Sequence, residues 1–236
     1  MRVGIAGLCA VLLLAAPAAM AWSAQTQALI IADAYQLVSP GLQAVLILYQ
    51  EQLHAGVNAV NISGDEPGAI IRQTVRDAQS VREHIATPGG YSVAVQTMGR
   101  IAAAVSTVNH PIASVPGFRN RSFLLGDFDG YIDANIRHFQ ISLPASLADV
   151  PELSDLERFL RGALDKGANL SSLLESAYFE GGVQRRAASF APTSVPFGVA
   201  SLSYSAAVKD TAMVWLIIWQ ASGGSVEKAK LLAVTR

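Results

Sequence analysis

Apolar residues recur at helical spacing along most of the chain, and this periodicity predicts an all-helical fold. In the first periodic segment, Ala28, Ile31, Ala32 and Tyr35 occupy positions i, i+3, i+4 and i+7, and a Ser-Pro-Gly sequence at 39–41 ends the pattern. No segment alternates polar and apolar residues over a length typical of a strand. We therefore predict an all-α protein, an irregular multi-helix bundle. The predicted helices cover residues 24–37, 41–54, 69–85, 91–108, 128–141, 154–166, 171–190 and 203–220, with loops at 58–68, 109–120 and 191–198.

The N-terminal segment has the composition of a secretory signal peptide. Arg2 is its single charge, residues 8–19 are apolar, and Ala19-Met20-Ala21 fits a small-residue cleavage site. An uncleaved anchor helix is the alternative, but the apolar run is short for a bilayer span. We expect residues 1–21 to be a signal peptide and residues 22–236 to form one all-α domain, exported to the periplasm or the cell exterior.

Composition excludes several functional classes. The net charge of -1 argues against a dedicated nucleic-acid-binding surface, which would carry a basic excess. Cys9 is the single cysteine, so neither a disulfide scaffold nor a Cys-rich metal domain is expected. No segment after residue 21 reaches the roughly 20 apolar residues that a transmembrane helix needs, so we predict that the protein does not span a membrane.

Two segments in the middle of the chain carry a recognisable skeleton. The first is Gly99-Arg-Ile-Ala-Ala-Ala-Val-Ser-Thr-Val-Asn-His-Pro-Ile-Ala113, and the second is Phe128-Asp-Gly-Tyr-Ile-Asp-Ala-Asn-Ile136. With a Trp at the expected mature N-terminus, they resemble the zinc-dependent phospholipase C superfamily, which includes the fungal single-strand nucleases. The resemblance implies an all-α fold whose cleft holds several zinc ions that hydrolyse phosphodiesters. It also implies that the amino group and carbonyl of Trp22 would be zinc ligands.

The chain departs from the family pattern at most positions where the family has a zinc ligand. Trp22 is kept, and Asp129 keeps an acidic side chain. For two further ligands, His84 and Asp65 are the best candidates. The ligand positions that carry another residue type here are Gln27, Ala103, Thr107, Ala113 and Leu125.

Because alanine binds no metal, we expect the zinc site to be lost and no cofactor to be bound. The protein would then be a binding or structural relative of an enzyme, with a lipid, a nucleotide, another phosphodiester-like molecule or an envelope protein as its partner. Ala103 and Ala113 would make the cleft less polar than that of an active member. The alternative is a zinc-dependent phosphodiesterase that uses a reduced site of Trp22, His84 and Asp129.

The remaining histidines fit structural roles better than metal binding. His110 is expected to be a loop residue, His138 to lie on the surface facing away from Asp129, and His54 to interact with the dipole of a helix end. His84, in the last turn of its own helix, also fits that dipole role.

Other polar and aromatic pairs have two interpretations each. Asp129 and Asp133 share one helix face and are expected to be solvated, with an acid–base pair or a cation site as the alternative. The adjacent Arg185 and Arg186 are typical of a solvent-exposed surface, with a phosphate-binding site as the alternative. We expect Trp215 and Trp219, at positions i and i+4 of a helix, to stack in the core, with a membrane-touching patch as the alternative.

Overall fold

A computed structural model describes residues 21–59, 66–139 and 150–226. These residues form helices and turns, and no strand occurs among them. The helices are α1 Ala24–Leu37, α2 Pro40–Leu48, α3 Gln50–Asn58, α4 Pro67–Ile85, α5 Tyr91–Val108, α6 Arg121–Asn135, α7 Leu156–Tyr178 and α8 Val195–Ala221. Short 3₁₀ turns lie at Ile136–His138, Leu153–Asp155, Glu180–Gly182 and Ala187–Ser189. The all-α prediction is confirmed.

The buried apolar side chains form one core, and α5 and α8 run through it. Helix α5 packs against α3 and α4, and α8 packs against α1, α5 and α7. Trp215 of α8 is fully buried and donates from Nε1 to the carbonyl oxygen of Met98 over 3.1 Å. Trp219 is only half-buried and donates from Nε1 to the carbonyl oxygen of Ser225, so the expected core position holds for Trp215 alone.

Two glycines let α3 and α5 cross with their backbones in contact. A Cβ atom at Gly56 would overlap the carbonyl oxygen of Gln96, and one at Gly99 would overlap that of Leu53. The first glycine of the family-like skeleton is therefore required by packing. This crossing fixes the position of α5, whose C-terminal half carries several of the candidate site residues.

Some predicted helix boundaries are wrong. The segment predicted as one helix at 41–54 is α2 and α3, separated at Tyr49, whose backbone leaves the helical region at φ −116° and ψ 33°. The two helices predicted at 154–166 and 171–190 are mostly the single helix α7. The helix predicted at 128–141 begins earlier, at Arg121, and α8 begins inside the predicted loop at 191–198.

No helix in the described ranges combines the length and the apolar composition required to cross a membrane.

Candidate functional site

His110 lies at the centre of the candidate site, in the turn that follows α5. Its side chain has no exposed surface, and its Nδ1 accepts the backbone N–H groups of Ile112 and Ala113, each over 3.1 Å. A nitrogen that accepts two hydrogen bonds carries no proton, so the proton of the neutral ring lies on Nε2. Nε2 therefore donates to Oδ1 of Asp129 over 3.1 Å, and the pair joins the end of α5 to α6.

Two aromatic rings enclose the His110 imidazole. The Trp22 ring meets it edge-on at a centroid distance of 4.6 Å, and the Phe128 ring does so at 6.0 Å. Trp22 is itself buried, and its Nε1 donates to the carbonyl oxygen of Ser106 over 2.8 Å. The segment before α1 is thereby fixed against the end of α5.

The structure brings together most of the positions at which the family has ligands. Oε1 of Gln27 accepts a 2.9 Å hydrogen bond from Ser106, whose carbonyl oxygen accepts the Trp22 indole N–H. One turn earlier on α5, the carbonyl oxygen of Ala103 accepts from Thr107 over 2.8 Å. The Trp22 ring and the Ala113 amide contact the His110 ring directly. Gln27 joins the same cluster through Ser106, and Ala103 and Thr107 lie on the neighbouring turns of α5. Leu125 lies on α6, one turn before Asp129, and is half-buried.

The converged positions do not fit a multi-zinc centre. Alanine offers no side-chain donor, and the Thr107 hydroxyl already donates to a carbonyl. Gln27 is buried, and its Nε2 has no hydrogen-bond partner among the described residues. Ala103 and Ala113 are 2% and 7% exposed, so they pack against protein. The expectation of a weakly polar cleft at these two alanines stays a prediction.

Both ring nitrogens of His110 are used by the protein. Nδ1 is saturated by two amide groups, and Nε2 donates to a carboxylate. The imidazole can neither ligate a metal nor take up a proton without breaking one of these contacts. The pair has the composition of a catalytic His–carboxylate dyad, but its geometry gives it a structural role.

Asp129 and Asp133 are not the solvated pair that the sequence suggests. Burial raises the pKa of Asp129, the hydrogen bond from His110 opposes that shift, and the charge of Asp133 adds to it. Asp133 accepts from the hydroxyl groups of Ser23 and Thr26 over 2.6 and 2.7 Å at the start of α1. Its negative charge therefore lies beside the N-terminus of α1, where the helix dipole favours it.

The structure does not place His84 with Trp22 and Asp129. His84 is half-buried in the last turn of α4 and, among the described residues, forms no side-chain hydrogen bond with either of them. Asp65, the other candidate, lies outside the described residues. Within the part of the chain that is described, no three His, Cys, Asp or Glu side chains come close enough together to hold a metal ion.

The other histidines differ in outcome. His138 is exposed, as predicted, in the 3₁₀ turn after α6. His54 is also exposed, but it lies in the middle of α3 because the helix continues to Asn58, so its predicted position at a helix end is wrong. His110 does lie in a loop, but its complete burial and its bond to Asp129 were not foreseen. The His-Pro sequence directly after a long apolar helix was the available signal, since a turn there folds back on the core.

The chain matches no known family model, no curated protein and no solved structure. The functional conclusion therefore depends on the geometry of this buried cluster and on the sequence skeleton that led to it. Both features concern the same residues of α1, α5 and α6.

Proposed function

We propose that this chain is an exported, divergent relative of the zinc-dependent phospholipase C superfamily that has lost phosphodiesterase activity. In this proposal the former metal centre is a packing element, and the protein acts as a binding or structural component. Its partner is a lipid, another phosphodiester-like molecule or an envelope protein.

One observation carries the proposal. The positions that would carry zinc ligands converge around Trp22, His110 and Asp129, but they hold buried residues without free metal donors. The contacts of Trp22 and Gln27 with Ser106, and of Asp129 with His110, support descent from a shared scaffold, because they join three separate segments of the chain that carry the skeleton. The replacements support loss of the chemistry, because several zinc ions close together need several imidazoles and carboxylates.

The decisive experiment is metal analysis of the mature protein. The chain would be produced with its own signal peptide, and intact mass would confirm Trp22 as the first residue. Mass spectrometry after dialysis against zinc should then find well below one zinc ion per chain. Three stoichiometric zinc ions would overturn the proposal.

A hydrolysis assay separates this proposal from the reduced-site alternative. With added zinc, we expect no turnover of a chromogenic phosphodiester above the rate of an Asp129→Ala control. Zinc-dependent turnover that is abolished by Asp129→Ala, and by an N-terminal extension before Trp22, would show that a reduced site is active.

A further inference from the structure

The start of α6 and the loop after α7 lie side by side on the surface. The Asn120 side chain donates from Nδ2 to Oε1 of Gln184 over 2.7 Å. About two helical turns further, Oδ2 of Asp127 accepts the backbone N–H of Ala187 over 2.7 Å. These two hydrogen bonds hold the loop in one conformation and so fix the positions of its exposed side chains.

Two arginines on this surface are stacked on aromatic rings and point to solvent. The guanidinium of Arg119 lies 4.5 Å from the ring centroid of Phe179, and that of Arg186 lies 5.4 Å from that of Phe123. In the described ranges neither arginine forms an ion pair, whereas Arg185, the residue before Arg186, pairs with Glu180 over 2.8 Å. Stacking orients a guanidinium while its N–H edges stay free for an anion.

Exposed apolar side chains accompany these charges. Phe123 is 40% exposed and Val183 is 69% exposed. Val183 follows Gly181 and Gly182, whose φ angles of 68° and 79° are rarely adopted by other residues. The chain therefore turns at these two glycines, directly before the exposed Val183. We name Arg119, Phe123, Val183, Arg185 and Arg186 the arginine patch.

We propose that the arginine patch is a docking surface for anionic phospholipid headgroups at the surface of a membrane. Free guanidinium groups complement headgroup phosphates, and exposed Phe and Val side chains can enter the boundary between headgroups and acyl chains. A chain with a net charge of -1 has no general attraction for polyanions, so the charge complementarity is local to this patch.

The patch is separate from the buried cluster. It contains none of the positions at which the family has ligands, and its side chains are exposed while those of His110 and Trp22 are buried. Docking through the patch therefore stands whether or not zinc chemistry has been lost.

Vesicle sedimentation with the mature full-length chain tests the proposal. The probes are vesicles of pure phosphatidylcholine and vesicles with phosphatidylglycerol added to phosphatidylcholine. We expect binding to the anionic vesicles only, weakened by salt. Arg119→Gln/Arg186→Gln should lower the vesicle affinity about 30-fold, because each basic residue near an anionic surface contributes about 1 kcal/mol. Val183→Ser should lower it about fivefold through lost apolar contact.

The matched control is Arg76→Gln/Arg82→Gln, which removes the same charge from exposed positions on α4. It should retain near wild-type affinity, and thermal melts would confirm that both double variants are folded. Equal losses in the two double variants, equal binding to uncharged vesicles, or no binding to anionic vesicles would each overturn the proposal. So would an unchanged affinity on Val183→Ser together with full competition by inorganic phosphate, which would assign the patch to a soluble anion.

Discussion

His110 donates from Nε2 to Oδ1 of Asp129 over 3.1 Å, and the backbone determines that it is the donor. The amide groups of Ile112 and Ala113 occupy Nδ1, so a proton can lie only on the other nitrogen unless these bonds break. The carboxylate therefore acts as the acceptor for a fully buried N–H group, and it also connects α6 to the turn after α5.

Removing this acceptor should destabilise the protein. In Asp129→Ala the buried Nε2–H of His110 has no partner, and an unsatisfied buried donor costs about 1–3 kcal/mol. Asp129→Asn keeps a side-chain oxygen at the same place and should cost clearly less. Urea unfolding of the two variants beside the wild type measures the difference. Equal losses would mean that the hydrogen bond contributes little and that Asp129 acts through its charge.

The sequence predicts elements well where local signals and tertiary packing agree. Helix α5 matches its predicted range of 91–108 because a periodic apolar segment lies between a glycine and an asparagine. The continuous α7 was missed because a break was expected near Gly167. That glycine instead lies within the helix, where a Cβ atom would be 3.4 Å from both the Val108 carbonyl and the Ser114 hydroxyl. The glycine at this position is explained by the close contact of α7 with the end of α5, and a local sequence pattern does not contain that information.

The candidate site was predicted in part. The resemblance, which stays a prediction, singled out Trp22, Gln27 and Ala103, but it could not show that all three residues are buried. The role of His110 depends on Trp22, which contacts it from the segment before α1, and on Asp129 of α6. Such contacts form only when the helices are assembled, and the local sequence around His110 does not contain them.

Gly99→Ala should be strongly destabilising. Its new methyl group would overlap the carbonyl oxygen of Leu53, and backbone atoms of two packed helices cannot move apart cheaply. We expect a loss of about 2–3 kcal/mol, typical of overpacking. Gly126→Ala is the control, because a methyl group there meets open space within α6 and should stabilise the helix by up to about 1 kcal/mol. Chemical denaturation of both variants gives the comparison, and a Gly99→Ala protein as stable as wild type would contradict the close crossing.

Asp133→Ala should loosen the first turn of α1 without global unfolding. The substitution removes the acceptor of the Ser23 and Thr26 hydroxyl groups and a negative charge near the helix N-terminus. Hydrogen exchange should become faster in residues 23–28. The matched variant is Asp127→Ala. Asp127 lies on the same helix, but its carboxylate accepts from the Tyr178 hydroxyl and the Ala187 backbone N–H, so hydrogen exchange should become faster in residues 178–187. Identical exchange patterns in the two variants would refute the separate anchoring roles.

Asp210 should make stability fall as pH rises above the ordinary titration range of a carboxyl group. Burial raises its pKa in the folded protein, while the charge of Lys209 at 3.2 Å, a hydrogen bond to Asn109 and the more distant Lys166 only partly oppose the shift. The folded state binds the Asp210 proton more tightly than the unfolded state does. The stabilisation that this gives is complete below the pKa of the unfolded state and is lost as pH rises through the pKa of the folded state.

The Asp210→Asn variant isolates this effect. It keeps the shape of the protonated side chain but cannot titrate. Asp129 and the buried tyrosines are present in both proteins, so their contributions to the pH dependence of stability cancel in the comparison. The melting temperature of the wild type minus that of the variant should therefore decrease from pH 4 to pH 7. Calorimetry over that range checks the sign. A difference that increases with pH would mean that the lysines, and not burial, dominate the environment of Asp210.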